Sequence, residues 1–487
     1  MKRYIIGIDE GTTSARVGIY DVLRRQIKHI SQRPISLILP KPSFVEQDAN
    51  EIWQAVNECL KEAMQKANIK AKQIISIGIT NQRETVVAWD KNSGKPLANT
   101  ICWQCRRTSK DIDNLPKDIK SKIKSKTGLI PDAYFSATKF KWLLENNKDV
   151  KKSYKNKTLM LGNIDTFIAY KLTGNFVTDT TNASRTMLYN IHKNEWDSFL
   201  LDYFKIDKDL LPKVISSNEF IGNTIIDGEE VAVCGILGDQ QSALFGQCCY
   251  QEGMAKNTYG TGSFLLVNIG DKPKIIPNLL TDIAYTISGK TTYAIEGSVF
   301  NCGSTINFLK DNLKLFKNSK QTREMAESVT DTNGVVFIPA FTGMAAPYWN
   351  SNIRASIVGL TRGVTKEHIV RAALESIAYR TEDILSLVRK HFPLKEIRCD
   401  GGVSRNNFVM QFQSDISRVK VVLPQDYECT LLGVIFMSGL GMGVYKDLKE
   451  ISTYWNKSTV FSPKMKLDEA KDKLKLWNST IKNILKN

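Results

Sequence analysis

Apolar residues fall in short blocks along this chain, and each block is followed by a turn or an amphipathic stretch. Residues 4–8 and 15–20 read as strands on either side of the turn Asp9-Glu10-Gly11-Thr12-Thr13-Ser14. Between 49 and 67 the period changes, and Ile52, Val56, Leu60 and Met64 recur at helical spacing. Strands are predicted again over 74–79 and 85–89, with a turn at Asn92-Ser93-Gly94-Lys95 and a helix over 138–146. Residues 161–169 are apolar. Residues 231–237 read as a buried strand that turns through Gly238-Asp239-Gln240-Gln241 into a helix over 242–247. The second half repeats this logic: a strand, the turn Tyr259-Gly260-Thr261-Gly262-Ser263, and a strand over 264–267. A short strand over 292–295 follows, after which Glu296-Gly297-Ser298 leads to a helix over 304–314. A long helix over 365–390 packs Ile369, Ala372, Ile377 and Ile384, and a strand over 397–399 ends in Asp400-Gly401-Gly402. Alternating strands and helices predict an α/β architecture with mostly buried sheets. The boundary is expected near 246–253, giving domains 1–248 and 249–487. With no low-complexity linker between them, the two should share a broad interface.

A chain of 487 residues has room for two or three domains with full cores. The formal charge of +17 is unusual, but the lysine-rich runs at 117–126 and 464–475 lack interleaved aromatic residues. They read as solvated surface and argue against a nucleic-acid partner. Nine cysteines, an odd number without a secretory framework, predict free thiols in a reducing compartment. Cys102-Trp103-Gln104-Cys105 has redox or zinc spacing, but no second pair follows it. The first strand begins almost at once, so no signal peptide is expected, and no apolar run reaches membrane-spanning length. A cytoplasmic protein without membrane insertion is the expectation.

Both Gly/Thr turns expose small hydroxyl side chains where glycine lets a backbone approach a ligand, the makings of an anion nest. Two of them suggest two related domains gripping one polyphosphate. Asp9, at the end of its strand, is placed to hold Mg²⁺ or to cap the turn. Thr12, Thr13 and Ser14 offer hydroxyl donors to phosphate, and Arg16 a charged one. Asp400-Gly401-Gly402 with Ser404-Arg405-Asn406-Asn407 has the form of a nucleotide loop or of an ordinary turn. Arg83 and Glu84 at a strand junction are either a surface ion pair or a donor–acceptor pair for a polyol hydroxyl. Trp103 and Phe264 would wall a carbon backbone, or simply pack. Tyr134 adds a hydroxyl. Asp239 at a strand end suits a general base for phosphoryl transfer to an alcohol and equally suits a helix N-cap.

Together these stretches resemble the FGGY carbohydrate kinases over essentially the full length. The match is carried by residues 9–16, 81–85, 238–245 and 256–262. It continues through Cys102-Trp103-Gln104-Cys105-Arg106-Arg107-Thr108, Tyr134-Phe135-Ser136-Ala137-Thr138-Lys139, Thr181-Asn182-Ala183-Ser184-Arg185-Thr186-Met187 and Gly359-Leu360-Thr361-Arg362-Gly363. Arg83-Glu84 with Trp103 and Tyr134 is similar to the pocket of the branch that phosphorylates glycerol. The resemblance implies two actin-like ATPase (ribonuclease H-like) domains with a catalytic cleft between them. It implies ATP- and Mg²⁺-dependent formation of sn-glycerol 3-phosphate, with Asp239 as base and Asp9 and Asp239 toward the metal. Arg83, Glu84, Trp103, Tyr134, Asp239, Gln240 and Phe264 would line the glycerol site. Thr12, Thr13, Ser14, Arg16, Thr261, Gly303, Asn307, Gly402 and Asn406 would hold the nucleotide. A homo-oligomer, dimer or tetramer, is expected. Position 307 is Asn where many members have Gln, Glu10 stands where Gln is common, and Phe300-Asn301-Cys302-Gly303 is more polar than usual. The alternatives are a kinase for another polyol or ketose, and a non-catalytic sensor or scaffold. Some members are inhibited by fructose 1,6-bisphosphate through an Arg-bearing loop before the strand leading to the base, and others are activated by phosphorylation of a His there. Here residues 216–230 contain no Arg, Lys or His, but do contain Glu219, Asp227, Glu229 and Glu230.

Overall fold

The computed structural model describes residues 2–350 and 352–486. Two mixed sheets dominate it. The first runs Phe220–Ile226, Glu229–Gly238, Ile74–Asn81, Tyr4–Glu10, Ser14–Asp21, Gln26–Pro34. The second runs Leu280–Ile287, Lys290–Val299, Ser263–Gly270, Met254–Tyr259, Glu396–Asp400, Lys420–Pro424, Lys457–Phe461. In each sheet a first strand pairs antiparallel with the second and parallel with a later one, so the two halves share one plan. This is the two-domain α/β architecture that the sequence pattern predicts. The parallel central strands, mostly apolar until their ends, are buried on both faces.

Strand alternation decides which helices cover which face. Tyr4, Ile6 and Ile8 point toward the helices Ala49–Lys66 and Ile164–Thr173. The first of these begins at Asp48, whose side chain accepts from the Asn50 N–H at 2.8 Å, and buries Ile52, Val56, Leu60 and Met64 as the spacing predicts. The apolar run at 161–169 proves to be two elements, the end of strand Leu159–Asn163 and the helix Ile164–Thr173, because periodicity alone does not separate short apolar runs.

The opposite face is covered from the far half of the chain. Helix Cys429–Gly441 lies across Tyr4–Glu10, Ile74–Asn81 and Glu229–Gly238. The register lines up Gly7 with Gly18 on one neighbour and Gly78 on the other. A Cβ on any of the three would meet that helix at 2.9 Å or less, so the row is a groove cut for it. Ser76 and Ser438 join hydroxyls at 2.7 Å within it. Helix Asp239–Gly246 in turn reaches the strands of the second sheet. The two helices cross at glycines: a Cβ on Gly433 would sit 1.8 Å from the Ser242 carbonyl oxygen, and one on Gly246 2.0 Å from that of Cys429. Gly433→Ala is therefore expected to lower stability by about 3 kcal/mol or more, since backbone and not a flexible tip must yield. Denaturant unfolding measures it, and a loss under about 1 kcal/mol would show that the crossing relaxes freely.

Strand Lys290–Val299 is longer than the predicted 292–295 and carries Glu296 inside the sheet, opposite Leu266 and Leu280. Helix Asp239–Gly246 starts at Asp239 itself, not at 242. Both differences place acidic groups at the junction of the sheets. No helix among the described residues is long and apolar enough to cross a membrane.

Candidate active site

A cleft of about 1560 Å³ opens between the halves, where the strand ends of both sheets converge. Thr12 and Thr13 line it from one turn, Gly260, Thr261 and Gly262 from the other, and Arg83, Glu84, Trp103, Tyr134, Asp239, Gln240 and Phe264 from its base. The structure thus gathers around one cleft every residue that the resemblance assigns to the polyol.

At the base, Arg83 and Glu84 are fully buried, so they are no surface ion pair. Glu84 has φ +58°, a left-handed backbone that a non-glycine residue holds only under constraint. Lys139 supplies that constraint by donating to the Glu84 carbonyl at 3.0 Å and to the Tyr134 carbonyl at 2.6 Å. Burial pushes the Lys139 ammonium down to about 8. Arg83 donates to both oxygens of Glu296 at 2.6 and 3.0 Å, and its Nε lies 3.3 Å from Asp239. Arg185 donates to Glu84 and, at 2.9 and 2.8 Å, to both oxygens of Asp282. Burial raises the Glu84 carboxyl, with Arg185 and Arg83 opposing. Burial also opposes the charge on Glu296, but Arg185 and Arg83 overcome it and hold that carboxyl well below its ordinary value. Burial raises the Asp282 carboxyl above its ordinary value, with Arg185 opposing.

Asp239 has a side chain that is 30% exposed, unlike its neighbours. Oδ1 accepts from the Gln240 N–H at 2.7 Å and Oδ2 from the Gln240 amide at 3.3 Å, which orient the carboxylate toward the cleft. Lys256, fully buried, donates to Gln240 and, at 3.0 Å, to Thr258. Trp103 stands edge-on to Tyr134 with centroids 5.5 Å apart and donates its indole N–H to Thr12 at 2.8 Å. The aromatic wall of the polyol end is thereby tied to the phosphate turn.

That turn is held from below. Gln47 donates to the Thr12 carbonyl at 2.7 Å, and Gln82 donates to Gln47 and Glu10 at 2.8 Å each. Burial lifts the Glu10 carboxyl well above its ordinary value. Ser14 accepts from Gln32 at 3.0 Å, and Arg16 lies between Asp9, at 3.5 Å, and Glu428. Neither lines the cleft wall. Gly303 donates its N–H to the Gly260 carbonyl at 2.9 Å and closes the second turn. Asn307 is exposed. A Cβ on Gly402 would meet nothing within 4 Å, so open space adjoins this loop. Asn406 caps helix Asn407–Ser417 and donates to Thr322 at 3.2 Å, which takes up its hydrogen bonding.

Two carboxylates are available for a cation. Burial lifts Asp9 to about 6, Arg16 opposes, and the nearby Asp239 adds to the rise. Among the described residues no cluster of three or more His, Cys, Asp or Glu side chains forms a metal cage. Two carboxylates completed by phosphate oxygens and water are how Mg²⁺ is usually held, so the residues fit it.

The sequence reading did not assign Arg185, Asp282, Glu296, Lys139, Lys256 or Gln47 to the site. A lone acidic residue inside an apolar strand, as at Asp282 and Glu296, was the available signal.

The N-terminal domain model of the FGGY family of carbohydrate kinases matches residues 4–246, and its C-terminal domain model matches 255–442. The chain is 47% identical over 489 residues to a glycerol kinase of Petrotoga mobilis, covering 99% of this chain and 98% of that one. It is 44% identical over 487 residues to one of Thermococcus onnurineus, covering 100% and 98%. The crystal structure of Plasmodium falciparum glycerol kinase with ADP superposes with a TM-score of 0.92 at 35% identity, over 99% of this chain and 98% of that chain. With both halves matched and the cleft built from their facing turns, the chain belongs to the FGGY family of carbohydrate kinases.

Proposed function

We propose that this protein transfers the γ-phosphoryl group of ATP to glycerol, forming sn-glycerol 3-phosphate and ADP. The observation that carries this is the placement of Asp239. Its partly exposed carboxylate, oriented by Gln240 and Arg83, shares one cleft with the Arg83–Glu84 pair and both Gly/Thr turns. Glu84 accepts hydroxyl hydrogens and Arg83 donates to hydroxyl oxygens, with Trp103, Tyr134 and Phe264 against the carbon chain. Asp239 takes the proton of the attacking hydroxyl. That oxygen bonds to the γ-phosphorus as the bond to the β–γ bridging oxygen breaks, and ADP departs. Thr12, Thr13 and Thr261 meet the phosphates, the open space at Gly402 admits the adenosine, and Ser14, Arg16, Gly303, Asn307 and Asn406 shape that side. Asp9 and Asp239 would hold Mg²⁺, which neutralises phosphate charge when bound. Domains 1–248 and 249–487 carry the two walls. We place the protein in the cytoplasm, a reducing setting that nine free, buried cysteines suit.

The test is ADP formation by purified protein with ATP and Mg²⁺ across a panel of glycerol, pentuloses and gluconate. Glycerol should give the highest kcat/KM. A preferred ketose would overturn the substrate, and no acceptor-dependent ADP would overturn the kinase.

Control by a sugar bisphosphate is not expected. Residues 220–226 form the edge of the first sheet beside exposed Glu219, Glu229 and Glu230, and the segment supplies no cationic donor. Fructose 1,6-bisphosphate added at low ionic strength should leave the rate unchanged. Saturable inhibition in the millimolar range or below would contradict this.

A further inference from the structure

Arg185 is a fully buried cation. Its side chain has no exposed surface and does not line the cleft, whereas Glu84 and Tyr134 do. It follows the short helix Thr180–Ala183, where its N–H donates to the Asn182 carbonyl at 3.1 Å. Its guanidinium lies 5.3 Å from the Tyr134 ring centre and 5.1 Å from that of Phe135. Nε reaches Glu84, and Nη1 is gripped by both oxygens of Asp282, with Glu296 at 3.3 Å.

Asp282 and Glu296 belong to neighbouring strands of the second sheet, Glu84 to the loop after a strand of the first. Arg185 therefore carries the position of the second sheet across to one carboxylate of the polyol pocket. Glu84 cannot hold that position alone. Its backbone is left-handed, its carboxylate is buried, and Lys139 fixes only its carbonyl. A carboxylate must be correctly aimed to accept a substrate hydroxyl, and it accepts most strongly when ionised.

We propose that Arg185, anchored by Asp282 and Glu296, is a positioning residue that aims the Glu84 carboxylate at the polyol and acts on substrate only through it. This rests on the glycerol kinase reading. Lysine at 185 keeps the charge but has no planar fork to hold Glu84 and Asp282 together. Arg185→Lys should raise the Kd and KM for glycerol by about 10- to 100-fold, the scale of a misplaced binding group. The KM for ATP should stay within about twofold, because Arg185 meets the first phosphate turn only indirectly, through Tyr134 and Trp103. Asp282→Asn keeps the Arg185–Glu84 bond but loosens its anchor, and should shift glycerol Kd in the same direction by about 3- to 10-fold. It serves if the first variant does not fold. In a double-mutant cycle with Glu84→Gln, Arg185→Lys should add much less than it does alone, since its effect passes through the missing carboxylate. A fall in melting temperature with glycerol Kd unmoved, or additive effects in the cycle, would make Arg185 merely structural and overturn the inference. A wild-type chain inactive on glycerol would overturn the functional reading and this inference with it. An active wild type with an unmoved variant overturns this inference alone.

Discussion

Asp239→Asn is expected to cut kcat by about 10²–10⁴-fold, the usual contribution of a positioned general base. The substitution keeps the shape of the side chain. An Asn Oδ1 still accepts from the Gln240 N–H, so helix Asp239–Gly246 keeps its start and the fold its stability. What goes is the acceptor for the glycerol proton, and with it half of the carboxylate pair available to a cation. Single-turnover transfer in the presence of ATP and Mg²⁺ measures the chemical step, and melting temperature checks the fold. Transfer within about threefold of wild type would remove Asp239 from the role of base. A large drop in both rate and melting temperature would assign the residue to the fold instead.

Glu84→Ala should damage binding more broadly. It removes the hydroxyl acceptor and strips Arg185 of one partner in a site with no exposed side-chain surface. Breaking a buried ion pair on one side costs about 3–5 kcal/mol, here divided between glycerol affinity and folding stability. Arg83 is spared the worst of it, because Glu296 still holds it in a fork. Calorimetric titration of glycerol, with denaturant unfolding of the same sample, reads both shares. If KM for glycerol, kcat and stability all stay unchanged, the pocket does not lie at Arg83-Glu84.

What the sequence showed and what it hid divide along physical lines. The phosphate turns, Arg83-Glu84 and Asp239 are short contiguous motifs at strand ends, where glycine and small hydroxyl residues announce a close approach before anything folds. Arg185, Asp282 and Glu296 belong to a different kind of signal. Each is a single charge in an ordinary-looking stretch, and only the packing of four distant segments makes them one network. Reading the strand as ending at 295 followed from the same blindness, since a Glu after Tyr293-Ala294-Ile295 looks like an exit to solvent until Arg83 and Arg185 are there to meet it. The glycine row was equally hidden. Gly7, Gly18 and Gly78 are unremarkable in sequence and become a groove only when strand register lines them up.

The glycine groove also sets a timetable for synthesis. The first sheet is complete in sequence at Gly238, yet the helix that covers its second face begins at Cys429, 191 positions later (429 − 238). At ribosomal speeds of about 5–20 residues per second, Ile5, Tyr20 and Leu237 wait roughly 10–40 s for their cover. During that interval the nascent N-terminal half presents an apolar, glycine-lined face to the cell. That face closes only when the last eighth of the chain emerges, and a message truncated before codon 429 would yield a sheet without the helix that covers it.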